Sequence, residues 1–272
     1  MSVEQHAEIY ALWDDNRHQI NSRKGGWRIG EAVYNHGYSM MDDLVGEISY
    51  FQQMVLNITG RLPDKALSEW LEACFICVSW PDPRVWCNQM AALAGSSHAA
   101  TVSGLAAGLV AADSLMYGPG TILNCYSFID QADRSIKQGV SISDIVKRHF
   151  NHKKDIPGYA RPIAKGDERV VAMRRVSLEL GFSKGPHERL AQQVSDYLVE
   201  EYDECINFSG YLVSFLSDQG YSGIEIERLV SLAVSSGLQA CYVEARDRPA
   251  GSFLPMRCSD MIYTGKDDRE LF

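Results

Sequence analysis

Along most of the chain apolar residues recur at helical spacing, and little of it alternates with strand period. Val3 to Trp13 predicts a short helix, and the polar, glycine-containing stretch Asn21 to Gly26 predicts a loop. Trp27 to Tyr38 lacks the helical period; its aromatics, punctuated by Gly30 and Gly37, predict short extended pieces and turns. From Met40 to Thr59, Leu44, Ile48, Phe51, Val55 and Ile58 predict a helix that Gly60 ends. Pro63 and Asp64 open another, in which Leu67, Trp70, Leu71, Cys74, Phe75 and Val78 share one face. The prolines of Trp80-Pro-Asp-Pro-Arg84 break it, because each disfavours helix in the residue before it.

A long helical region then follows, rich in Ala, Gly and Ser from Ala91 to Ala112. Side chains this small let helices approach closely, and they predict a central, enclosed helix pair. Tyr117-Gly-Pro-Gly-Thr121 reads as a turn and Ile122 to Lys137 as a helix. Ser141 to Asp144 and Ser222 to Glu225 have the capping-box pattern ahead of apolar runs. Val170 to Leu180 and Glu188 to Tyr202 complete the helices, so the expected class is all-α, with ten or more helices and no repeat.

Composition narrows the function more than the fold. At 272 residues and 46% hydrophobic, the chain is long enough for one large or two medium domains and too apolar to be disordered. Its formal charge of −9 argues against nucleic acid, which is bound mainly by neutralising phosphates. The start, Met1 to Asn21, has no signal-like apolar core, and the run Ala99 to Ala112 is too short to span a bilayer. The expectation is a soluble cytoplasmic protein with no membrane or nucleic-acid partner. Seven cysteines, Cys74, Cys77, Cys87, Cys125, Cys205, Cys241 and Cys258, sit mostly in apolar surroundings and read as free thiols. Cys74 and Cys77 form a Cys-x-x-Cys pair, but no second pair follows at zinc spacing, and packing is the simpler reading.

The seven histidines show no triad-like context. His98 reads as a cap or core residue and His36 as part of a turn. His149 and His152, with Lys147, Arg148, Lys153 and Lys154, suit a helix C-terminus. No zincin motif, Walker loop or dinucleotide fingerprint occurs, so neither a metal nor a nucleotide cofactor is expected.

Charge is concentrated in one place. Between Lys147 and Arg175 lie nine of the 26 Lys and Arg residues against three acids, Asp155, Asp167 and Glu168, in an otherwise acidic chain. Such a patch fits a small anionic ligand, since phosphates and carboxylates need fixed donors; a solvated basic surface is the plainer alternative.

The patch belongs to Pro157-Gly-Tyr-Ala-Arg-Pro-Ile-Ala-Lys-Gly-Asp-Glu-Arg169, which resembles the "pGfGHrvyk..DPR" motif of the citrate synthase superfamily. Four further stretches extend the likeness in order. Asn57-Ile-Thr-Gly-Arg-Leu-Pro63 resembles "tGrlP". Ala99 to Tyr117, followed by Gly118-Pro-Gly120, resembles the small-residue helix and turn at "GplHGGA". Cys205-Ile-Asn-Phe-Ser-Gly210 is similar to "NvDfysG". Ser236 to Glu244 with Tyr263-Thr-Gly265 is similar to "GwiaHwlE" and "Y.G". The likeness covers residues 27 to 265 and is strongest to the short members, the citryl-CoA lyases and the corresponding module of ATP-citrate lyase.

What the resemblance implies is a large helical domain, residues 1–149 and 246–272, carrying an inserted small helical domain, residues 150–245, in a homodimer. The family's chemistry takes a proton from acetyl-CoA with an aspartate while histidines stabilise the enol or enolate and polarise the acceptor, and arginines hold carboxylates. Here Arg161 replaces the "GfGH" histidine and Asn207, or Ser209 if the loop is shifted, replaces the aspartate. Arg161 and Asn207 are therefore the candidate catalytic positions. The "plHGGA" histidine falls near Gly120 or Thr121, and the "aDHg" histidine within Trp80-Pro81. Cys241 takes the C-terminal histidine's place, and two carboxylate-binding arginines fall at Val234 and near Cys258.

The "DPR" arginine remains as Arg169, and Lys165 stands where the family contacts CoA phosphate. With Gly158, Gly118 and Gly120 these are the expected substrate-binding residues, for a coenzyme A thioester as substrate, with no covalently bound cofactor. Arg161 could donate to a thioester oxygen or could form a structural salt bridge, but a permanently charged guanidinium cannot shuttle a proton. A thiol nucleophile at Cys241 or Cys258 would need a depressed pKa that nothing in the sequence supplies. Three functions stay open: a divergent enzyme acting on an acyl thioester and a carboxylate-bearing partner, a non-catalytic paralogue with a binding role, and a redirected biosynthetic hydrolase or cyclase.

Overall fold

Helical periodicity is realised in twelve α-helices among the described residues, with a single small sheet near the start. The computed structural model describes residues 3–114, 117–152, 155–161 and 165–270, with backbone alone at 3–5 and 151–152. The all-α class expected from the sequence is observed. By its contacts the chain divides into two compact units, Met1–Ser68 and Glu69–Phe272.

The first unit holds α1 (Val3–Asp15), then an antiparallel meander of β1 (Gly25–Arg28), β2 (Ala32–Asn35) and β3 (Tyr38–Ser39), paired in that order with Gly25 opposite Asn35. The helix expected over Met40 to Thr59 is broken in two: a π-helical turn at Met40–Leu44, then α2 (Tyr50–Thr59). Gly46 takes φ +88°, which reverses the chain, and Ser49 starts afresh by exchanging hydrogen bonds with Gln52 in a complete capping box. Gly60 ends α2 at φ 77°, as its position suggested. Asp64 caps α3 (Lys65–Val78) by accepting from the Leu67 N–H at 2.8 Å.

The second unit holds α4 (Trp86–Ser96) and α5 (Thr101–Ala112), the helix pair expected within the long small-residue region. Ser97 to Ala100 interrupt it, with His98 in the left-handed region at φ 57° and its Nε2 3.2 Å from the Arg248 carbonyl. The two helices pack on each other and on α12 (Ser235–Arg246) through missing side chains. A Cβ on Gly95 would lie 2.4 Å from Tyr242 O, and one on Gly108 2.8 Å from Leu238 Cδ2. The pair is not enclosed, however: Val102 and Val110 of α5 are 78% and 76% exposed.

Around α10 (Phe208–Asp218) the core is densest, and Phe208, Tyr211, Leu212, Val213, Phe215 and Leu216 are all buried. Trp70 of α3 stacks on Phe215 at 3.9 Å, and its Nε1 donates to Ser177 Oγ at 2.8 Å, which lies 2.7 Å from the Tyr211 hydroxyl. The polar edge of each aromatic is thereby satisfied while its ring is desolvated. Flanking α10 are α6 (Ile122–Lys137), α8 (Glu168–Glu179), α9 (Pro186–Tyr202) and α11 (Gly223–Val230); α7 (Ile142–His152) packs on α6 and α9. The Ser222 and Glu225 capping box is complete at α11, and at α7 Ser141 Oγ accepts from the Asp144 N–H. No described helix is long and apolar enough to cross a membrane.

Candidate functional site

The loop Ile156–Arg161 is held against the N-terminus of α10 by backbone alone at several points. Tyr159 bridges Ile206, the Ala160 N–H donates to Cys205 O at 2.9 Å, and the Asn207 N–H donates to Gly158 O at 3.0 Å. Glycine is required on both sides of this contact. Gly158 lies at φ +90°, where a Cβ would sit 2.5 Å from Cys125 Sγ, and a Cβ on Gly210 would sit 2.2 Å from Gly158 O.

Asn207 completes the clamp. It caps α10 by accepting from the Gly210 N–H at 3.1 Å, while its Nδ2 donates to Ala160 O at 2.9 Å and to Tyr159 O at 3.3 Å. These bonds engage both ends of the amide, so its geometry is that of a structural cap and brace.

The clamp sets Arg161 beside the start of α8. Asp167 is the α8 N-cap; its carboxylate accepts both limbs of the Arg169 guanidinium, from Nε at 2.8 Å and Nη2 at 2.6 Å, and also the Phe208 N–H at 2.8 Å. Arg169 in turn lies 5.1 Å from the Phe208 ring centroid. Arg161 Nη1 is 3.8 Å from Asp167 Oδ1, and the same nitrogen donates to Glu168. Side-chain exposure separates the group: Asp167 0%, Arg161 12%, Arg169 18%, Glu168 73%. Burial pushes the Asp167 carboxyl up, but the Arg169 fork, the Phe208 N–H and the Arg161 charge outweigh it and hold the group below its ordinary value. For Arg169 the burial penalty is likewise overcome by Asp167.

The structure thus brings Arg161, Arg169, Gly158 and Asn207 to one locality. Lys165 is exposed and pairs with Asp203 on the surface. Gly118 and Gly120 belong to the turn after α5, where a Cβ on either would run into Ala112 O at 2.2 Å or Ser114 O at 2.4 Å. Burial raises the Tyr117 phenol, just before that turn, and the Cys77 thiol of α3 above their ordinary values, and the Arg169 charge reaches both and opposes the rise. Pro162, Ile163 and Ala164 within the central motif, Leu115 and Met116 before the turn, Lys153, Lys154 and the side chain of His152 lie outside the described residues.

Asp167 and Glu168 entered the sequence reading only as local acids, yet they organise the basic patch. The signal was present: an aspartate two residues before an arginine, at the start of an apolar periodic stretch, is an N-cap pattern. Among the described residues no group of three or more His, Cys, Asp or Glu is placed to hold a metal ion. All seven cysteines are free, and burial raises the thiols of Cys74, Cys87, Cys125 and Cys241, which opposes thiolate formation.

No family model matches the sequence and no curated protein sequence matches it. Solved structures do. Citryl-CoA lyase from Hydrogenobacter thermophilus matches with a TM-score of 0.79 at 26% identity, over 93% of this chain and 97% of that one. ATP citrate lyase from Methanothrix soehngenii, in complex with citrate and coenzyme A, matches with a TM-score of 0.77 at 18% identity, over 96% of this chain and 44% of the longer one. Citrate synthase from Thermotoga maritima matches with a TM-score of 0.64 at 19% identity, over 83% of this chain and 60% of that one. The last two carry the fold alone; with the full-length match to the lyase, and with the order of motifs from Asn57 to Gly265, they identify the chain as a member of the citrate synthase-like superfamily.

Proposed function

We propose that the chain is a divergent citrate synthase-like or citryl-CoA lyase-like protein that binds a coenzyme A or other acyl thioester together with a carboxylate-bearing partner. Its large and small domains would be residues 1–149 with 246–272 and residues 150–245, and it would work as a cytoplasmic homodimer. The observation that carries this reading is the Arg161–Asp167–Arg169 cluster, two partly shielded guanidinium groups sharing one buried carboxylate beside the α10 N-terminus. Of the four charges that meet there, Arg161, Arg169, Asp167 and Glu168, only Glu168 is exposed, and a desolvated arginine fork recognises carboxylate or phosphate strongly.

Proton handling must differ from the family's. Asn207 is an amide and Arg161 is permanently charged, so neither supplies a base at neutral pH. If carbon–carbon chemistry occurs, Arg161 is the group suited to polarise a thioester oxygen. Calorimetric titration with coenzyme A and acetyl-CoA tests binding: affinity in the micromolar range, reduced in Lys165→Ala, is expected. Absence of heat with both ligands overturns the reading.

The commitment of the Asn207 amide to Ala160, Tyr159 and Gly210 favours a second reading, a non-catalytic paralogue that binds but does not react. Solvent deuterium exchange into acetyl-CoA, citryl-CoA cleavage and condensation with 2-oxo acids separate the two, and turnover in one of these assays excludes the non-catalytic reading.

A further inference from the structure

The three cations of the basic motif, Arg161, Lys165 and Arg169, differ in how firmly each is already satisfied. Arg169 is locked by two hydrogen bonds to a carboxylate that is itself fully buried and also holds the Phe208 N–H. An incoming anion that took that fork would strand the buried Asp167 carboxylate. Lys165 is a flexible surface lysine facing an equally exposed Asp203. Arg161 stands between these extremes: its guanidinium is shielded, and its Nη1 lies 3.8 Å from Asp167 Oδ1 while donating to Glu168, a side chain that is 73% exposed.

Glu168 makes no demand on the fold comparable to that of Asp167. It is the first residue of α8, and the pairing with Arg161 lowers its own pKa without burying it. The matching triplet of the resemblance is Asp-Pro-Arg; here the middle position carries a carboxylate. We infer that Glu168 is an internal placeholder for a ligand carboxylate on Arg161: it holds the guanidinium Nη1 when the site is free, and a carboxylate-bearing ligand binds by displacing it into solvent. This rests on the anion-binding reading above and narrows it to one arginine and one competitor. It makes Glu168 a specificity-determining residue, since a ligand must compete with it for the Arg161 Nη1, and a neutral ligand gains nothing from the exchange.

The test is a titration of citrate into the full-length protein and into Glu168→Gln, Asp203→Asn and the double variant Arg161→Gln/Glu168→Gln, at low ionic strength. Because an exposed carboxylate–arginine pair is weak, removing the competitor is expected to tighten citrate binding about two- to fivefold. Asp203→Asn removes the same charge from a surface pair and should leave affinity unchanged; the gain should vanish in the double variant. Unfolding midpoints close to that of the parent show that the single variants are folded. Equal tightening in Glu168→Gln and Asp203→Asn would mean general charge relief, and overturns the placeholder. Unchanged affinity in Glu168→Gln with a parent that binds citrate overturns it while leaving the anion site standing. Binding that appears only in Glu168→Gln supports it, and no binding in any form refutes both readings.

Discussion

Gly158 and Gly210 face one another backbone to backbone, so closely that a Cβ on Gly210 would lie 2.2 Å from Gly158 O and one on Gly158 would lie 2.9 Å from Gly210 Cα. That contact seats the loop before Arg161 on the N-terminus of α10. Gly158→Ala combines a clash with a φ of +90°, and it is expected to cost about 3 kcal/mol or more of stability. Urea unfolding measures the loss. A change under about 1 kcal/mol would show that the loop relaxes around the added methyl.

Asn207→Asp keeps the cap on Gly210 but turns a donor into a carboxylate oxygen facing the carbonyls of Tyr159 and Ala160. A loss of about 1–3 kcal/mol at neutral pH is expected. The charged form is the disfavoured one, so the introduced carboxyl has a folded pKa above its unfolded value. The deficit should therefore be small below about pH 4 and grow as pH rises through the folded value. A pH-independent deficit contradicts this account of the Asn207 brace.

His187 and Asp218 join the start of α9 to the end of α10. Their Nδ1 and Oδ1 atoms are 2.8 Å apart, and the backbone N–H groups of His187 and Glu188 donate to the same carboxylate, each at 2.9 Å. The hydrogen bond to Asp218 raises His187 above its ordinary 6.5. Burial raises Asp218, but His187 and the backbone donors outweigh it and bring it below 3.8. The His187 contribution is thus fully present below about pH 6.5 and fades as pH climbs through the folded value, whereas that of Asp218 fades in acid. His187→Ala should cost about 1–2 kcal/mol at pH 5.5 and less at pH 8.5, read from unfolding curves at the two pH values.

The uncovered side of α5, with Val102 and Val110 exposed, is the surface we assign to the proposed homodimer. Sedimentation equilibrium should give twice the chain mass, and Val110→Glu should shift the population to monomer at micromolar concentration, since a charge buried in an apolar interface has no partner. A parent protein that sediments as a monomer excludes the assignment.

The sequence was informative wherever a local rule acts alone. Gly60 ending α2, the Ser222 box opening α11 and the helical period of α3, α6 and α9 depend on neighbours within four residues, and they appear as expected. The break at Gly46 escaped, because apolar spacing on either side continues and hides the turn between two helical segments. In the basic patch the cations were visible, but which of them is engaged was not. Arg161, Lys165 and Arg169 differ little as letters and greatly in burial and partner.

By itself the sequence determined the helical class and the order of motifs that resembles the superfamily's, which follow from residue types and their spacing. Only the tertiary structure decided that Asn207 spends its amide bracing the Ala160 loop, that Asp167 buries its charge to fix Arg169, and that Glu168 stands over Arg161. The physical reason is that periodicity and capping are set by near neighbours, whereas the worth of a charge or an amide depends on desolvation and on partners up to 48 positions away, as with Asn207 and Tyr159.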